Sequence, residues 1–357
     1  MAETLRAAGL ADREACVRLL RTVGFKAPSE AGWRWLFEDN PAHQRHHPVA
    51  GWLLEDEGGV QGYLGNILLD YQLDGRPLLA ATCTGWVVDP RARGDSLRLL
   101  AAFFKQAGPE LFLTASANAE SEAAYRSFKA EVPLGAGFAE GTVWVARDAM
   151  ALRERGWSPA LAPLSRLARL LSGRARVPRT WASARVQRLR PDEIDARFDR
   201  LWAQVGARPG LRRARDAASL RWTLSDPDQR PGAAAFVLEQ AGELAGFALV
   251  APHQPSPERG LQLRLVDLCV GDGQQAAAGP LLRRAAEHAR ELGAGLLYAP
   301  PCGAELSALL AGRGGHPVPR DHLSHFLRTR KRADTAGLVA EGRWAATGLD
   351  GDIPFVL

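Results

Sequence analysis

The sequence predicts an α/β fold with two mixed-sheet domains that are related by internal duplication. Residues 52–63 recur without a gap at 236–247, and an Arg-Trp pair at 34–35 recurs at 221–222. The offset of about 184 residues is far longer than the ~20–50-residue period of a solenoid repeat, so a whole domain is duplicated. A chain of 357 residues has room for two such domains.

In the first half, helical patterns come first and strand patterns follow. Asp12 is placed to cap a helix that ends at Gly24, and Trp33 to Phe37 continue with a second helix. Asp74-Gly75 between apolar flanks indicates a tight hairpin, which gives three antiparallel strands before a fourth over 80–88. We predict strands over 51–54, 63–69, 80–88, 111–115 and 142–145, and further helices over 97–104 and 120–128.

The second half repeats this order. Pro280 at the first position and Gly293 just past the end delimit its longest helix. We predict helices over 191–202, 280–292 and 304–310, and strands over 236–238, 247–250, 261–270 and 295–299. Each half therefore has the order αα, βββ, βαβα, which is typical of a layered α/β domain.

The composition is that of an ordinary globular protein, with 46% hydrophobic and 24% charged residues. No run approaches the ~18 apolar residues that span a bilayer, and the N-terminus lacks the pattern of a secretory signal. We therefore expect a cytoplasmic protein. The cysteines are widely spaced without a C-x-x-C pair, which predicts no disulfide and no metal site, and the nearby His43, His46 and His47 are more typical of a polar loop.

A basic linker is predicted over residues 151–184, between a first domain at 1–150 and a second at 185–357. Ten arginines and a single carboxylate lie between Ala151 and Arg190. Leucines spaced along 161–171 indicate a short amphipathic helix. We interpret this helix as packed across the two domains, with contact to a membrane surface as the less favoured alternative. Because no aromatic ladder accompanies the charge, we expect no nucleic-acid binding.

A basic loop of small residues follows the strand that ends at Val88 and leads directly into a helix. Residues 87–96 read VVDPRARGDS. A helix N-terminus offers unpaired backbone N–H groups to an anion, Gly94 lets the main chain come close, and an arginine pairs with phosphate oxygens. The loop therefore suggests a phosphate-binding site, although plain strand–turn–helix connections have similar compositions.

With this loop in place, the first half resembles the GNAT superfamily of acyl-CoA-dependent N-acyltransferases, whose fold has the same element order. The family's pyrophosphate loop reads Arg/Gln-x-x-Gly-x-Gly/Ala. Counting back from Gly94 puts Arg91 at the arginine position, whereas counting from the preceding Val-x-Pro puts Arg93 there. The resemblance implies that acetyl-CoA or another acyl-CoA is bound by Trp86, Val87, Val88, Arg91, Arg93, Gly94, Asp95, Ser96 and Asn118.

A second shared signature covers residues 118–125, NAESEAAY, which resembles the family's Asn-x-x-Ala-x-x-x-Tyr. The resemblance implies that Asn118 bonds the pantetheine amides and that Tyr125 protonates the departing thiolate. The alternative is an N-capping asparagine followed by a half-buried tyrosine. Cys83, on the preceding strand, is more typical of a buried small side chain than of a nucleophile.

The second half lacks these features. Its corresponding loop has no arginine and gains Asp272, and the places of Asn118 and Tyr125 fall near Cys302 and Leu309. We therefore expect two GNAT-like domains in tandem, of which the second is a degenerate copy. Its Asp267 is a candidate catalytic base, with a hydrogen-bonded strand-end carboxylate as the alternative.

The resemblance implies a direct reaction without a covalent enzyme intermediate. A primary amine of a small molecule, sugar or peptide attacks the thioester carbonyl, a backbone N–H near residues 86–88 holds the carbonyl oxygen, and CoA leaves as the thiol. The alternatives are an aminoacyl or fatty-acyl transferase acting on a peptide or cell-envelope precursor, and a non-catalytic ligand-binding protein. We also predict that the tail beyond Arg330, with Trp344 and Asp352, packs back over a domain. The oligomeric state is not indicated by the sequence.

Overall fold

Two mixed sheets organise the chain in the computed structural model. It describes residues 4–154, 157–164, 185–229, 231–254, 260–319, 324–331, 334–340 and 342–352. The predicted amphipathic helix of the linker therefore lies largely outside the described residues.

The first half supplies the following strands and α-helices in the described ranges. The strands are β1 (Thr4–Ala8), β2 (Gly51–Asp56), β3 (Gly59–Leu73), β4 (Arg76–Val88), β5 (Leu111–Ala117) and β6 (Glu140–Val145). The helices are α1 (Arg13–Thr22), α2 (Glu30–Phe37), α3 (Pro41–His46), α4 (Ser96–Lys105), α5 (Ala119–Ser127) and α6 (Asp148–Glu154).

The second half repeats the order of the first and adds short elements. The strands are β7 (Val186–Leu189), β8 (Leu211–Arg213), β9 (Ala234–Gln240), β10 (Glu243–His253), β11 (Gln262–Val270), β12 (Leu296–Ala299), β13 (His316–Pro319) and β14 (Ser324–Thr329). The helices are α7 (Ala196–Gly206), α8 (Ala217–Leu224), α9 (Ala278–Glu291), α10 (Ala304–Leu310) and α11 (Thr335–Val339).

The two sheets have corresponding strand orders. The first runs β1-β2-β3-β4-β5-β14, with β8 beside β3, and the second runs β13-β6-β12-β11-β10-β9-β7. In each sheet the fourth and fifth strands of the repeat, β4–β5 and β11–β12, pair in parallel, and the other described pairs are antiparallel. The predicted α/β fold with two mixed sheets and the duplication are therefore confirmed.

Each half donates one strand to the sheet of the other half. β6 pairs with β12 and β13 in the second sheet, whereas β14 pairs with β5 in the first. The strand predicted over 142–145 thus exists but belongs to the second sheet. The division of the chain at residues 150 and 185 remains a prediction about functional units, since the sheets themselves share strands across it.

Trp35 and Trp222, which occupy equivalent places in the duplicated sequence, meet between the two halves. Their rings stack with centroids 5.0 Å apart. The Trp35 indole donates to the Trp222 carbonyl at 2.7 Å, and the Trp222 indole donates to the Trp35 carbonyl at 2.8 Å. Such a reciprocal contact is the pattern of a two-fold interface, formed here within one chain.

The first sheet carries apolar layers on both faces. Alternate residues of β3 divide between them, so that Tyr63 and Ile67 pack with α1 and α2 while Leu64 and Leu68 pack with α4 and α5. The hairpin prediction at 74–75 is confirmed, with Asp74 and Gly75 both at positive φ.

Candidate functional site

A cleft of about 760 Å³ opens in the first half where β4 and β5 separate. Its walls come from α1, α2 and their connection, from β4 and β5, from the start of α4 and α5, and from the tail segment, which we define as residues 342–352. Because members of both apolar layers of the first sheet line it, the cleft passes through the sheet.

The cleft exists because the parallel pairing stops early. β4 and β5 are paired at Ala80–Leu111, Ala81–Phe112 and Thr82–Leu113, and the strands then diverge. Opposite β3, the register shifts between the Thr84 and Val87 pairs, which is a β-bulge with Gly85 at a φ of 60°. A strand bends at a bulge, and here the bend carries residues 84–88 away from β5.

The loop after β4 forms a 3-10 turn, Pro90–Asp95, that runs directly into α4. Arg93 and Ser96 line the cleft, together with Trp86, Val87 and Val88 of the preceding strand. Among the described residues no carboxylate forms an ion pair with Arg93. Its guanidinium thus has no competing anion within the described part of the chain.

The other predicted loop residues are placed differently. Arg91 is 84% exposed at its side chain and binds Asp89, whose carboxylate also caps the turn; the Arg91 guanidinium lowers the pKa of Asp89. Asp95 pairs with Arg98. The space beside Gly94 is open, with no heavy atom within 4 Å of where a Cβ would lie. Arg91, Gly94 and Asp95 are not among the residues that line the cleft.

Asn118 and Tyr125 both line the cleft. The Asn118 side chain accepts a hydrogen bond from the Ser121 N–H at 2.9 Å and so caps α5, which is the structural alternative that the sequence left open. The cap uses the side-chain oxygen, while the residue still faces the cleft.

Tyr125 is buried against a strand of the other half. Its ring stacks on Phe326 of β14 at 5.5 Å and meets Trp86 edge-on at 5.9 Å. Its hydroxyl lies 3.0 Å from the Cys83 sulfur. Burial raises the pKa of Tyr125 well above 10 and that of Cys83 to about 12, so that both groups hold their protons at neutral pH.

The structure adds Asp352 of the tail segment to this cleft. Its carboxylate accepts the Ala115 N–H at 2.8 Å and the Thr114 hydroxyl at 3.2 Å, and it also accepts the Ser116 hydroxyl. Ala115 lies beyond the last β4–β5 pair, so Asp352 satisfies a backbone group at the point where the strands diverge. Burial raises the pKa of Asp352.

A second carboxylate of the tail segment, Asp350, anchors the chain two residues before Asp352. Asp350 is fully buried and accepts the Tyr71 hydroxyl and the Trp344 indole N–H, both at 2.9 Å, and the Thr347 N–H at 2.7 Å. The packing of the tail onto the first half therefore rests on specific hydrogen bonds. The sequence singled out the tail and its carboxylates but gave no role to Asp352.

Asp267, the candidate base of the second half, is placed outside the cleft lining. It is fully buried and binds Arg215, with Nε and Oδ2 2.6 Å apart, and it accepts the Leu268 N–H at 2.9 Å. A carboxylate held in this way fits the structural alternative, because its charge is neutralised by a buried guanidinium. We therefore do not retain it as a catalytic residue.

The equivalent gap in the second half is occupied by the tail segment. β11 and β12 pair only from Gln262–Leu296 to Arg264–Tyr298. Just beyond, Gly348 packs so closely that a Cβ would lie 2.8 Å from the Val266 carbonyl oxygen, and Leu349 is buried in the second-half core. The tail thus fills the second gap before it reaches the first.

Comparison with known proteins found structural likeness alone: no family model matches the sequence, and no curated protein does. A GCN5-related N-acetyltransferase from Anabaena variabilis aligns with a TM-score of 0.60 at 14% identity, over 92% of this chain and 73% of that one. One from Kribbella flavida gives 0.57 at 17%, over 94% and 72%. Saccharomyces cerevisiae N-myristoyltransferase with bound myristoyl-CoA gives 0.57 at 11%, over 92% and 82%.

These likenesses show the fold. The chain has the GNAT fold in two copies, as the element order and the loop motifs predicted. Within the described ranges, no helix is long and apolar enough to cross a membrane, and no three His, Cys, Asp or Glu side chains are grouped so as to hold a metal ion.

Proposed function

We propose that this protein transfers an acyl group from acyl-CoA to a primary amine, in the cleft of the first half and without a covalent enzyme intermediate. The observation that carries the proposal is the gap between β4 and β5, which has the Arg93 loop and the α4 N-terminus at one end and Tyr125 inside. Phosphates favour a helix N-terminus with an arginine, and unpaired backbone groups on separated strands are free to hydrogen-bond the amides of a pantetheine chain. Both are present at one site.

The acyl-CoA would be held mainly by the loop and by the diverging strand. Arg93, Gly94 and Ser96 would meet the pyrophosphate, because the guanidinium is unpaired in the described structure and the space beside Gly94 is open. Backbone N–H groups of residues 86–88 would hold the thioester carbonyl oxygen as charge develops on it. Arg91 has a smaller role in this account, since it is already paired with Asp89.

The cleft offers two groups for the proton movements that this reaction requires. The amine nitrogen forms a bond to the carbonyl carbon, and its proton passes to Asp352 through the Ser116 hydroxyl. The carbon–sulfur bond then breaks, and Tyr125 gives its proton to the CoA thiolate. A buried carboxylate with a raised pKa suits a base, and a tyrosine that keeps its proton suits an acid.

The second half would contribute structure to this site without binding CoA itself. Its strand gap is filled by Gly348 and Leu349, and its loop places Asp272 against Arg208. It supplies Phe326 beneath Tyr125, and the tail supplies Asp352.

Calorimetry with CoA and acetyl-CoA tests the proposal. Loss of one charge-assisted phosphate contact should weaken binding about tenfold in Arg93→Ala. Arg91→Ala is the matched control, because it removes the same group from the same loop at a position outside the cleft lining, and it should bind almost as the unmutated protein does. If neither ligand binds below millimolar concentrations, the proposal is wrong. If Arg91→Ala is the weaker binder, the loop register is wrong.

A longer acyl donor is the second candidate, because the lining that α1, α2 and their connection contribute to the cleft is apolar apart from Lys26. A series of acyl-CoAs from two to sixteen carbons, each offered with one fixed amine, separates acetyl from fatty-acyl transfer. Binding of CoA without turnover of any donor would favour the non-catalytic alternative.

A further inference from the structure

We propose that the amine acceptor is a monoamine with an apolar or aromatic body, and that it is held by a subsite at the α1–α2 side of the cleft. We call this subsite the apolar wall; it consists of Leu20, Val23, Phe25, Trp33, Phe37 and Tyr63. The inference rests on the proposed acyl transfer and adds the class of acceptor to it.

The inner part of the apolar wall is rigid and preformed. Trp33 meets the Phe37 ring edge-on at 4.7 Å and lies 6.1 Å from the Tyr63 ring, and these side chains belong to the core of the first half. Aromatic rings held in this way present a fixed surface that costs little conformational entropy to bind against. An apolar group that fits it gains binding energy in proportion to the area it covers.

The outer part of the wall leaves apolar side chains in contact with solvent. Phe25 is 53% exposed and Val23 is 37% exposed, and both line the cleft. Exposed apolar groups beside a buried apolar wall are typical of a surface that a ligand covers. A body that extends from the inner wall to the mouth would remove both from water.

The charges in the cleft argue against a polycation. Of the lining residues between 20 and 37, Lys26 is the single charged one, and it repels ammonium groups. The lining carboxylates are Glu120, at the start of α5, and Asp352, which already accepts three hydrogen bonds. A second ammonium group lying along the apolar wall would therefore be desolvated without a partner.

The position of Ser116 and Asp352 sets the orientation of the acceptor. Because the proposed proton path runs through Ser116 to Asp352, the attacking amine has to lie near the Ser116 hydroxyl. Its body then extends along the apolar wall toward Val23 and Phe25. An acceptor bound in this way has one amine, which reacts, and the rest of the molecule is uncharged.

The test measures acceptor binding on the full chain saturated with desulfo-CoA, an unreactive CoA analogue, by calorimetry. The probes are phenethylamine and hexylamine as apolar monoamines, and putrescine and spermidine as polyamines. We expect the apolar monoamines to bind at least about tenfold more tightly than the polyamines. This factor is about the gain from burying one face of an apolar group of the acceptor. The same order is expected for kcat/KM with acetyl-CoA.

The variant Phe25→Glu puts a carboxylate at the mouth of the wall, and Leu10→Glu is its matched control, an exposed apolar residue outside the cleft lining. Phe25→Glu should weaken phenethylamine binding about tenfold and strengthen putrescine binding several-fold, while Leu10→Glu changes neither.

If CoA binds, the proposed function stands, and any one of three results would then overturn the inference. The polyamines bind more tightly than the apolar monoamines, no apolar amine saturates the protein below about 10 mM, or Phe25→Glu has the same binding as Leu10→Glu. If octanoyl-CoA is preferred to acetyl-CoA and phenethylamine gains nothing over putrescine, the wall holds the acyl chain and the inference is likewise overturned. If desulfo-CoA does not bind at all, the proposed function itself has failed.

Discussion

The hydroxyl of Tyr125 is held between the cleft and the Cys83 thiol, with its ring fixed on Phe326. Tyr125→Phe keeps the ring and removes only the proton that the thiolate would receive. General acid catalysis of this kind contributes about 10²–10⁴-fold, so kcat should fall by at least about a hundredfold while the CoA dissociation constant stays the same. Steady-state kinetics and calorimetry on the same variant measure both quantities. Full activity in Tyr125→Phe would exclude the tyrosine as the acid.

Asp352 gives a prediction about pH. Its carboxylate has to be ionised to accept a proton, and burial raises its pKa above the ordinary value, so kcat/KM should fall as the pH falls through this raised pKa. Asp352→Asn should be slower by about 10²-fold or more and should lose this acidic limb of the profile. Profiles of kcat/KM against pH for both proteins test this prediction. An unchanged acidic limb in the variant would show that a group other than Asp352 causes it.

The stability of the same variant provides the control. Because the folded pKa of Asp352 is raised above the unfolded value, the folded state holds this proton more tightly, and the group's contribution to the free energy of unfolding declines as the pH rises from about 4 through the raised pKa. The Tm of Asp352→Asn should therefore rise relative to that of the unmutated protein between pH 4 and pH 8. If Asp352→Asn shows this rise in relative Tm and is still inactive at pH 8, its loss of activity is not due to unfolding.

Residues whose role depends on their own loop could be predicted from the sequence. The two motifs led to Arg93, Ser96, Asn118 and Tyr125, all of which line the cleft. The first motif did not distinguish Arg93 from Arg91, because what distinguishes them is the ion pair that Arg91 forms with Asp89 in the folded protein. Asp352 had no local motif, since it reaches β5 from the far end of the sequence.

The bulge in β4 is the element that opens the cleft. Gly85 adopts a φ of 60°, and an added Cβ would lie 3.3 Å from the Leu20 side chain. Gly85→Ala should therefore lower the free energy of unfolding by ~1–2 kcal/mol and narrow the cleft. Gly94→Ala is the contrasting change in the same region: it meets no protein atom within 4 Å, so the Tm should stay the same while CoA affinity falls.

Thermal melts and calorimetry on these two variants check the prediction. If Gly94→Ala binds CoA as well as the unmutated protein does, the main chain at Gly94 does not approach the phosphates. If Gly85→Ala is fully stable, the bulge carries no strain.

The elements that the sequence predicted well are those with a strong period or a clear turn. α10 was predicted at its observed bounds, and the Asp74-Gly75 hairpin at its observed place. β1 and α3 were missed because they are short. β4 is one strand from Arg76 to Val88, whereas the sequence predicted a strand after the hairpin and a separate one over 80–88. The separation of β4 from β5 was not visible, since pairing between strands is not a local property.

The two halves of the molecule depend on each other. β14 covers the edge of β5 and places Phe326 beneath Tyr125, while β6 lies between β12 and β13. A chain of residues 1–150 or 185–357 alone would leave an unpaired, apolar edge strand in its sheet. We expect each half alone to be aggregated or unfolded, and the two co-expressed halves to assemble.

Size-exclusion chromatography and circular dichroism of the separate and co-expressed halves measure this. A separate half that is monomeric and melts cooperatively would show that the exchanged strands are dispensable. The duplication was visible in the sequence, but the exchange of strands was not, because both arrangements give the same element order along the chain.

A crystal structure of the protein with CoA would locate the bound cofactor itself. We expect CoA between β4 and β5, with the pyrophosphate at residues 93–96 and the sulfur within reach of the Tyr125 hydroxyl. Density for CoA in the second half, or no density in the first-half cleft at saturating CoA, would contradict it.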